Sequence, residues 1–338
     1  MVIGINAVAA FKQPRTGVEE YTYQLIKHLT MLEQSKKHRF ILYSHEQLKW
    51  PFPMWTQIRL SAEMIKNKPD VLFIPVHVLP LIHPKNSVVT IHGLEYEYYP
   101  ETYPYQHLKY LRWSTKYALK HARKIIAVSE NTKNDLVELY GGNPGKIEVV
   151  HHGFKNVRPL GSNIRTDPYI LFIGRIETKK NIQGLIKAFD LLKKKYQVPH
   201  KLILAGSKGY DYKKLKGQLK SKDIIEKGYI IQEEKNKLLQ GADIFAFISF
   251  YEGFGMPILE AQAAGCPVIT SNLSSMPEVA GKGAILIEPK NIEQITESMY
   301  KIIGDSQFKK DLIEKGYENI KKFSWQKCAQ ETLEILTN

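Results

Sequence analysis

The chain has 338 residues, a length that predicts two domains, each able to bury a core of its own. Its composition, 43% apolar and 24% charged with no low-complexity block, is typical of a globular protein; no apolar run reaches the ~20 residues of a membrane span, and the start of the chain lacks the basic segment of a signal peptide. The formal net charge of +14 indicates affinity for polyanions such as anionic lipids, nucleic acids or phosphorylated substrates.

The first half of the chain alternates between short apolar runs and amphipathic segments. Leu25 and Leu29 lie at helical spacing in a helix expected from about Gly17, and further helices are expected near 105–121 and 131–140. The predicted strands are 2–6, 39–43, 70–74, 87–91, 124–128 and 147–150. This alternation predicts a doubly wound α/β domain.

A polar stretch at 154–168, with Pro159, Gly161 and Pro168, is predicted to be the linker between the domains. A second α/β series follows it. Its predicted strands are 169–173, 201–205, 229–231, 243–248, one ending near Thr270, and 284–287. Its predicted helices begin at Asn181 and lie near 235–241, 293–303 and 308–321, and a last helix follows Ser324.

A glycine-rich loop at 249–255 joins a predicted buried strand to a predicted helix. Gly253 and Gly255 allow the backbone to approach a ligand closely, and Glu252 and Glu260 add two carboxylates near the helix N-terminus. Carboxylates can accept hydrogen bonds from sugar hydroxyls while backbone N–H groups hold phosphate oxygens, which suggests a nucleotide-sugar. The alternative is a structural capping loop, with a Glu placed favourably against the helix dipole.

Two further segments could take part in the same chemistry. Arg175 and Lys180 follow the strand 169–173, and Asn181 is a good helix N-cap, so both cations could reach a diphosphate at that sheet edge. A solvated basic turn is the alternative. His92 ends the strand 87–91 and could bond a sugar hydroxyl, although an isolated His is more often a satisfied loop residue.

The segment from Tyr105 to Lys124 contains six Lys or Arg residues and no Asp or Glu. Leu108, Leu111 and Ala118 form an apolar stripe on the same predicted helix, together with Tyr105 and Leu119. An anionic membrane surface would attract such a helix with ~1 kcal/mol per basic side chain. The alternative is that the basic face of the helix is solvated and that its apolar stripe is simply part of the core.

Several signatures are absent from the sequence. It has no Asp-x-Asp, no P-loop, no dinucleotide fingerprint and no nucleophile elbow. Cys266 and Cys328 are far apart, which favours a reducing compartment and a cytoplasmic location. The pair His151 and His152 has no spaced partners, so no metal site is expected.

The stretch YEGFGMPILEAQAAGCPVITS, with Glu252 and Glu260 separated by seven residues, resembles the E-x7-E signature of retaining glycosyltransferases of the GT-B fold, family 4 type. The segment from Gly174 to Asn181 is similar to the GR-x4-KN motif of that family. The resemblance implies two Rossmann-like domains that face a central cleft. It implies an acceptor-side domain at 1–155, a donor-binding domain at 166–322, and a last helix at about 324–338 that returns to the first domain.

The resemblance also implies roles for individual residues. Glu252 would bind hydroxyls of the donor sugar and Glu260 the ribose, while Arg175 and Lys180 would stabilise the leaving diphosphate without a metal ion or other cofactor. His92 would assist in catalysis. The remaining donor contacts would come from Gly17, Gly174, Ile230, Phe254, Gly255 and Met256, with the strand 229–231 beside the nucleotide base.

The chain departs from the family pattern in three places. Gly93 stands where the family usually has Asp after the His, and Glu19 stands where a second small residue is common after Gly17. His152 replaces the Asn of the family's His-Asn-Gly motif. Each departure weakens the match in the first domain.

The implied reaction is retaining transfer of a sugar from a nucleotide-diphosphate donor to a glycan or lipid-linked acceptor in polysaccharide synthesis. GDP-mannose is favoured over a UDP-sugar, and the enzyme is expected in the cytoplasm, with the basic helix as a contact to the membrane. Two alternatives are a GT-B nucleotide-sugar epimerase, which needs no acceptor, and a non-enzymatic protein that binds nucleic acid or another polyanion. The sequence shows no nucleic-acid-binding module.

Overall fold

The computed structural model describes residues 1–45, 54–154, 167–209, 211–215, 217, 219 and 221–338. The chain divides into two compact units: Met1–Gly153 with Phe323–Asn338, and Phe154–Lys322. In its described residues each unit contains one six-stranded sheet whose neighbouring strands are all parallel. The prediction of a two-domain α/β fold is confirmed.

In the first unit the sheet order is β2-β1-β3-β4-β5-β6. The strands are β1 (Val2–Asn6), β2 (Arg39–Tyr43), β3 (Val71–Ile74), β4 (Ser87–Ile91), β5 (Lys124–Ala127) and β6 (Ile147–Val149). The helices are α1 (Val8–Phe11), α2 (Gly17–Met31), α3 (Ser61–Lys66), α4 (Glu95–Tyr98), α5 (Tyr105–His121) and α6 (Glu130–Tyr140). Short 3₁₀ turns occupy Glu33–Lys37, Pro100–Thr102 and Pro144–Lys146, and a π turn Thr56–Leu60.

In the second unit the sheet order is β12-β11-β10-β7-β8-β9. The strands are β7 (Tyr169–Ile173), β8 (Lys201–Ala205), β9 (Ile224–Gly228), β10 (Ile244–Phe247), β11 (Val268–Ser271) and β12 (Ala284–Ile287). The helices are α7 (Ile182–Tyr196), α8 (Tyr212–Leu215), α9 (Gln232–Gly241), α10 (Met256–Ala263), α11 (Met276–Ala280), α12 (Ile292–Gly304) and α13 (Ser306–Ile320), with a 3₁₀ turn at Thr178–Lys180.

The central strands are buried and mainly apolar because helices cover both faces of a parallel sheet. Every residue of β4, β7 and β10 is buried. Such continuous apolar runs are visible in a sequence, and the predicted strands 39–43, 87–91, 169–173, 201–205 and 284–287 have the bounds of the observed ones.

The last helix, α14 (Trp325–Thr337), belongs to the first unit. Trp325 is buried beside the ring of Tyr21 on α2, and the guanidinium of Arg123 donates a hydrogen bond to the carbonyl of Ile335 at 2.6 Å. The chain also passes very close to Gly153, where a Cβ atom would lie 2.1 Å from the backbone nitrogen of Trp325. Position 153 therefore requires glycine, because the first residue of α14 lies against it.

The predicted strand 229–231 is wrong. The strand at this place is β9, which ends at Gly228, and residues 229–231 connect it to α9. Gly228 has φ +69°, a left-handed conformation that cannot continue an extended strand. Tyr229 and Ile231 are consequently exposed rather than paired in the sheet.

The apolar stripe predicted on the basic helix is mostly core. Leu108 and Ala118 on α5 are buried, and Leu111 and Leu119 pack against the same hydrophobic cluster. Only Tyr105, at the start of the helix, is exposed. Helical spacing alone could not decide which face of α5 meets the sheet.

No helix within the described ranges combines the length and the apolar character that crossing a membrane demands. The predicted linker at 154–168 and the boundaries at 155 and 166 fall largely outside the described residues.

Candidate functional site

Two loops of the second unit lie side by side because their strands are neighbours. β7 leads to β8 on one side and pairs with β10 on the other, so the strand order reverses between β7 and β10. At such a point the loops that follow the two strands open a crevice at the carboxyl edge of the sheet, where α/β proteins keep their ligands. The backbone N–H of Phe250 donates to the carbonyl of Lys179 at 3.0 Å and ties the two loops together.

The loop after β7 is held by backbone geometry and by polar anchors. Gly174 has φ +158°, and Asn181 has φ +55° and caps α7 by accepting a hydrogen bond from the N–H of Gly184. The amide of Asn181 also donates to the carbonyl of Pro289 at 2.6 Å, and the Asp211 carboxylate accepts from the N–H of Thr178. These contacts fix the direction in which Lys180 leaves the backbone.

The structure brings Lys180 and Glu252 into direct contact across the two loops. The Lys180 ammonium donates to both Glu252 carboxylate oxygens, at 2.6 and 2.7 Å, and the Ser249 hydroxyl donates to one of them at 2.6 Å. The two side chains are only 15% and 13% exposed. A pair so withdrawn from water is costly to break on one side, because the remaining charge would be left uncompensated.

Two serines hold the backbone of the glycine-rich loop. The hydroxyls of Ser274 and Ser275 both donate to the carbonyl of Glu252, at 2.6 and 2.8 Å, and Ser275 also bonds the carbonyl of Phe254. Gly255, with φ +102°, then starts α10. Pro257 has no N–H and the N–H of Ile258 bonds the carbonyl of Gly255, so this end of α10 offers an anion the N–H groups of Gly255 and Met256, beside the positive end of the helix dipole.

Glu260 forms a second ion pair at this edge. It is buried on α10, and its carboxylate accepts a hydrogen bond from the ammonium of Lys235 on α9. Glu260 lies in the helix, as predicted, whereas Lys235 was not predicted because a lysine in a polar segment has the pattern of an ordinary surface residue. Lys235 adds a third cation to the set of Arg175 and Lys180.

The remaining residues of this unit that were predicted to contact the donor lie in three different segments. Arg175 follows Gly174 at the end of β7; it is exposed and forms no ion pair with any described residue. Phe254, Gly255 and Met256 lie where the loop becomes α10. Ile230 lies in the β9–α9 connection, not in the strand that was expected to border the base.

In the first unit, His92 follows β4 and is bound to the backbone. Its Nε2 lies 2.7 Å from the carbonyl oxygen of Pro75, an acceptor, so Nε2 carries the proton. Burial lowers the pKa of His92 to about 4, although this hydrogen bond opposes the shift. His92 is therefore neutral at pH 7, with the lone pair on Nδ1, and can accept a hydrogen bond from a hydroxyl group.

Gly17 is the first residue of α2, as predicted, and the unexpected Glu19 has a structural explanation. Glu19 accepts hydrogen bonds from the backbone N–H and the hydroxyl of Thr16 in a capping box, and it pairs with Lys12 at 3.2 Å. Burial acts to raise the pKa of Glu19, but these hydrogen bonds outweigh it and the pKa is lowered.

His152 packs as an aromatic side chain. It is buried, its ring lies 4.5 Å from that of Tyr21 and 6.0 Å from that of Trp325, and burial lowers its pKa well below the usual value. Among the residues that the structure describes, no three His, Cys, Asp or Glu side chains are arranged to hold a metal ion.

The serines of this site could not have been found by motif. Ser249 follows a strand, and Ser274 and Ser275 follow the next one, with Ser274 at φ +56°. Their place at the carboxyl ends of β10 and β11 is the only signal in the sequence, and it needs the strand order to acquire meaning.

Comparison with known proteins identifies the family of the chain. The family profile described as "Glycosyl transferases group 1" matches residues 159–319, and that of "Glycosyltransferase Family 4" matches residues 31–156. O-antigen chain mannosyltransferase B of Escherichia coli is 29% identical over 265 residues, which cover 74% of this chain and 69% of that protein. The serotype-specific mannosyltransferase WbdA of Escherichia coli is 26% identical over 64% of this chain, a match that spans only 27% of that longer protein.

The fold is shared with solved glycosyltransferase structures. The crystal structure of Anabaena HepE in complex with UDP and glucose superimposes with a TM-score of 0.74 and 18% identity, over 100% of this chain and 99% of HepE. Both family profiles, the mannosyltransferase relatives and this shared architecture point to the same group. The chain belongs to the GT-B glycosyltransferases of family 4, the glycosyl transferases group 1.

Proposed function

We propose that the second unit binds a nucleotide-diphosphate sugar and that the enzyme transfers the sugar, with retention of its anomeric configuration, to a growing glycan or lipid-linked acceptor in cell-surface polysaccharide synthesis. The observation that carries the proposal is the Lys180–Glu252 ion pair at the reversal of strand order, beside the N-terminus of α10. One site thus offers a cation and helix N–H groups to a diphosphate, and a carboxylate to sugar hydroxyls.

Binding of the donor would redistribute the charge of this ion pair. The Lys180 ammonium has three N–H groups and directs bonds to both oxygens of Glu252, so an incoming diphosphate competes for it. As the bond from the sugar anomeric carbon to the diphosphate breaks, negative charge grows on the leaving oxygen. Lys180, Arg175 and the helix N–H groups would stabilise that charge, and Glu252 would hold the sugar while the acceptor hydroxyl attacks from the face that the diphosphate leaves.

We further propose that transfer requires no metal ion. Lys180 and Arg175 are both supplied by the loop after β7, and Lys235 lies beside Glu260, so three cations are available at this sheet edge, two of them paired with Glu252 and Glu260 until a diphosphate competes for them. A transferase that works in this way keeps its rate in EDTA. Loss of activity in EDTA with recovery on adding Mg²⁺ would overturn this part of the proposal.

GDP-mannose is the donor we favour, because the relatives named above are mannosyltransferases. The HepE structure was solved with UDP and glucose, so UDP-sugars are included among the donors to be tested. A cytoplasmic location, where such donors are made, agrees with the two cysteines, both free and buried.

The first experiment is a thermal-shift screen of the purified full chain against UDP, GDP, ADP and their sugars, followed by product analysis with a lipid-linked or glycan acceptor. We expect the largest rise in Tm with GDP or GDP-mannose, and transfer only when an acceptor is present, with NMR showing that the anomeric configuration of the sugar is kept. An altered nucleotide-sugar formed without acceptor would identify an epimerase instead. No response to any nucleotide would contradict the donor site itself.

A further inference from the structure

Helix α5 carries two parallel stripes of exposed and half-buried side chains on the surface of the first unit. One stripe is aromatic, with Tyr110, Trp113 and Tyr117 at helical spacing. Their rings are stacked in series, Tyr110 on Trp113 at 5.7 Å and Trp113 on Tyr117 at 5.3 Å. Tyr110 and Trp113 are 38% and 40% exposed, which is notable for Trp, a side chain that is highly buried on average.

Aliphatic side chains from other segments extend this aromatic stripe. Leu81 and Ile82 are 52% and 46% exposed, and the Tyr117 hydroxyl bonds the carbonyl of Leu81 at 3.0 Å. Gln57 joins the same segments, since its side-chain oxygen accepts from the N–H of Leu81 at 3.0 Å and its amide donates to the Tyr110 hydroxyl at 3.1 Å. We call Leu81, Ile82, Tyr110, Trp113 and Tyr117 the aromatic patch.

The second stripe lies one residue before each aromatic position and is basic. It consists of Lys109, Arg112, Lys116 and Lys120. Arg112 is bound to Glu97 at 2.8 Å, whereas Lys116 and Lys120 are exposed and form no ion pair with any described residue. The patch is therefore bordered by a basic stripe whose charge is uncompensated at Lys116 and Lys120.

We propose that the aromatic patch and its basic border form the surface by which this enzyme docks reversibly on an anionic phospholipid bilayer. Trp and Tyr favour the boundary between lipid headgroups and acyl chains, and Lys residues beside them attract anionic headgroups. The uncompensated charge selects an anionic bilayer over a neutral apolar partner, and aliphatic side chains beside the rings supply the shallow insertion. The inference does not depend on the proposed sugar transfer.

The test is binding of the full chain to vesicles, measured by co-sedimentation with phosphatidylcholine alone and with phosphatidylcholine containing phosphatidylglycerol. We expect strong binding only to the anionic vesicles, and release by salt. Replacing both lysines, Lys116→Gln with Lys120→Gln, should weaken binding roughly 25-fold, at about five-fold per lysine. The matched control is Lys27→Gln with Lys37→Gln, which removes two exposed charges of the same unit and should change binding by less than about three-fold.

Insertion is tested separately with Trp113. In a Trp50→Phe background, in which the remaining Trp55 and Trp325 are buried, quenching of tryptophan fluorescence by brominated lipid should disappear on Trp113→Phe while the variant still sediments with vesicles. Leu81→Ser with Trp113→Ser should weaken vesicle binding at an unchanged Tm.

Equal losses for the two lysine pairs would show that general positive charge, not this patch, drives binding. Absence of binding to anionic vesicles, or patch variants that bind as the wild type does, would also overturn the proposal, and binding of a soluble glycan lost in those variants would assign the patch to a sugar chain.

Discussion

At the scale of single residues, the site depends on how one ammonium group is shared. Lys180 and Glu252 are 72 residues apart in the chain, yet they form a nearly dry ion pair, with Ser249 completing the hydrogen bonds of the carboxylate. Removing one partner leaves the other charge partly buried and unbalanced. Substitution of Glu252 and substitution of Lys180 should therefore have different consequences for ligand binding.

We expect Glu252→Gln to lower turnover about 100-fold or more while the nucleoside diphosphate binds at least as tightly as before, because Lys180 loses a competing carboxylate. Lys180→Met should instead weaken UDP or GDP binding by ten- to a few-hundredfold, because a charge-assisted hydrogen bond contributes ~1.5–3 kcal/mol to the binding free energy. Isothermal titration calorimetry and steady-state kinetics measure the two effects.

Lys187→Met is the matched control for this pair of variants. Lys187 is exposed on α7 in the same unit, so its loss removes the same charge away from the site. If Glu252→Gln lost nucleotide affinity as strongly as Lys180→Met, the assignment of the carboxylate to the sugar and of the ammonium to the diphosphate would be wrong.

At the scale of elements, the strand ends beneath the site approach each other at two glycines. The N–H of Gly174, after β7, bonds the carbonyl of Ala205 at 2.9 Å, and Gly206 follows β8 with φ +146°. A Cβ atom on Gly206 would lie 1.9 Å from the carbonyl oxygen of Gly174. Any side chain there must push the backbone before Arg175 out of place.

We therefore expect Gly206→Ala to lower the free energy of unfolding of the second unit by at least about 2 kcal/mol, and to weaken nucleotide binding as the loop after β7 shifts. Gly304→Ala is the control, since it lies at the end of α12 with nothing within 4 Å of the new Cβ atom and should be neutral or stabilising by up to ~1 kcal/mol. Urea denaturation and titration calorimetry compare them. Equal stability of the two variants would show that the crossing tolerates a side chain.

At the scale of the whole molecule, the two units differ in which groups resist protonation. In the first unit, burial lowers the pKa of His77 and of His92 to about 4 and holds that of His152 well below its usual value. In the second unit, a hydrogen bond from His200 and one from Lys309, at 2.7 Å, lower the pKa of Asp243 to about 2 in spite of its burial. These groups lose their contributions to stability in different pH ranges.

A histidine whose pKa is lower in the folded than in the unfolded state makes the unfolded chain bind more protons between pH 6.5 and about 4, so stability is lost as the pH falls through that range. The first unit should therefore be destabilised by a few kcal/mol from pH 7 to 4.5, whereas the contribution of Asp243 is lost only below about pH 4. Hydrogen exchange read by mass spectrometry, peptide by peptide, follows each unit. Equal loss of protection in both units between pH 7 and 4.5 would contradict this order.

The sequence by itself determined most elements, since burial on both faces of a parallel sheet leaves continuous apolar runs and since Asn181 marks the start of α7 by its local chemistry. It also indicated Glu252, Glu260, Lys180 and Arg175, through motif resemblance. Only the tertiary structure decided that β7 and β10 are neighbours, that Lys235 meets Glu260, and that α5 buries Leu108 while exposing Trp113. Those facts depend on contacts between residues far apart in the chain, whose free energies are set by packing and strand order and leave no local trace in the sequence.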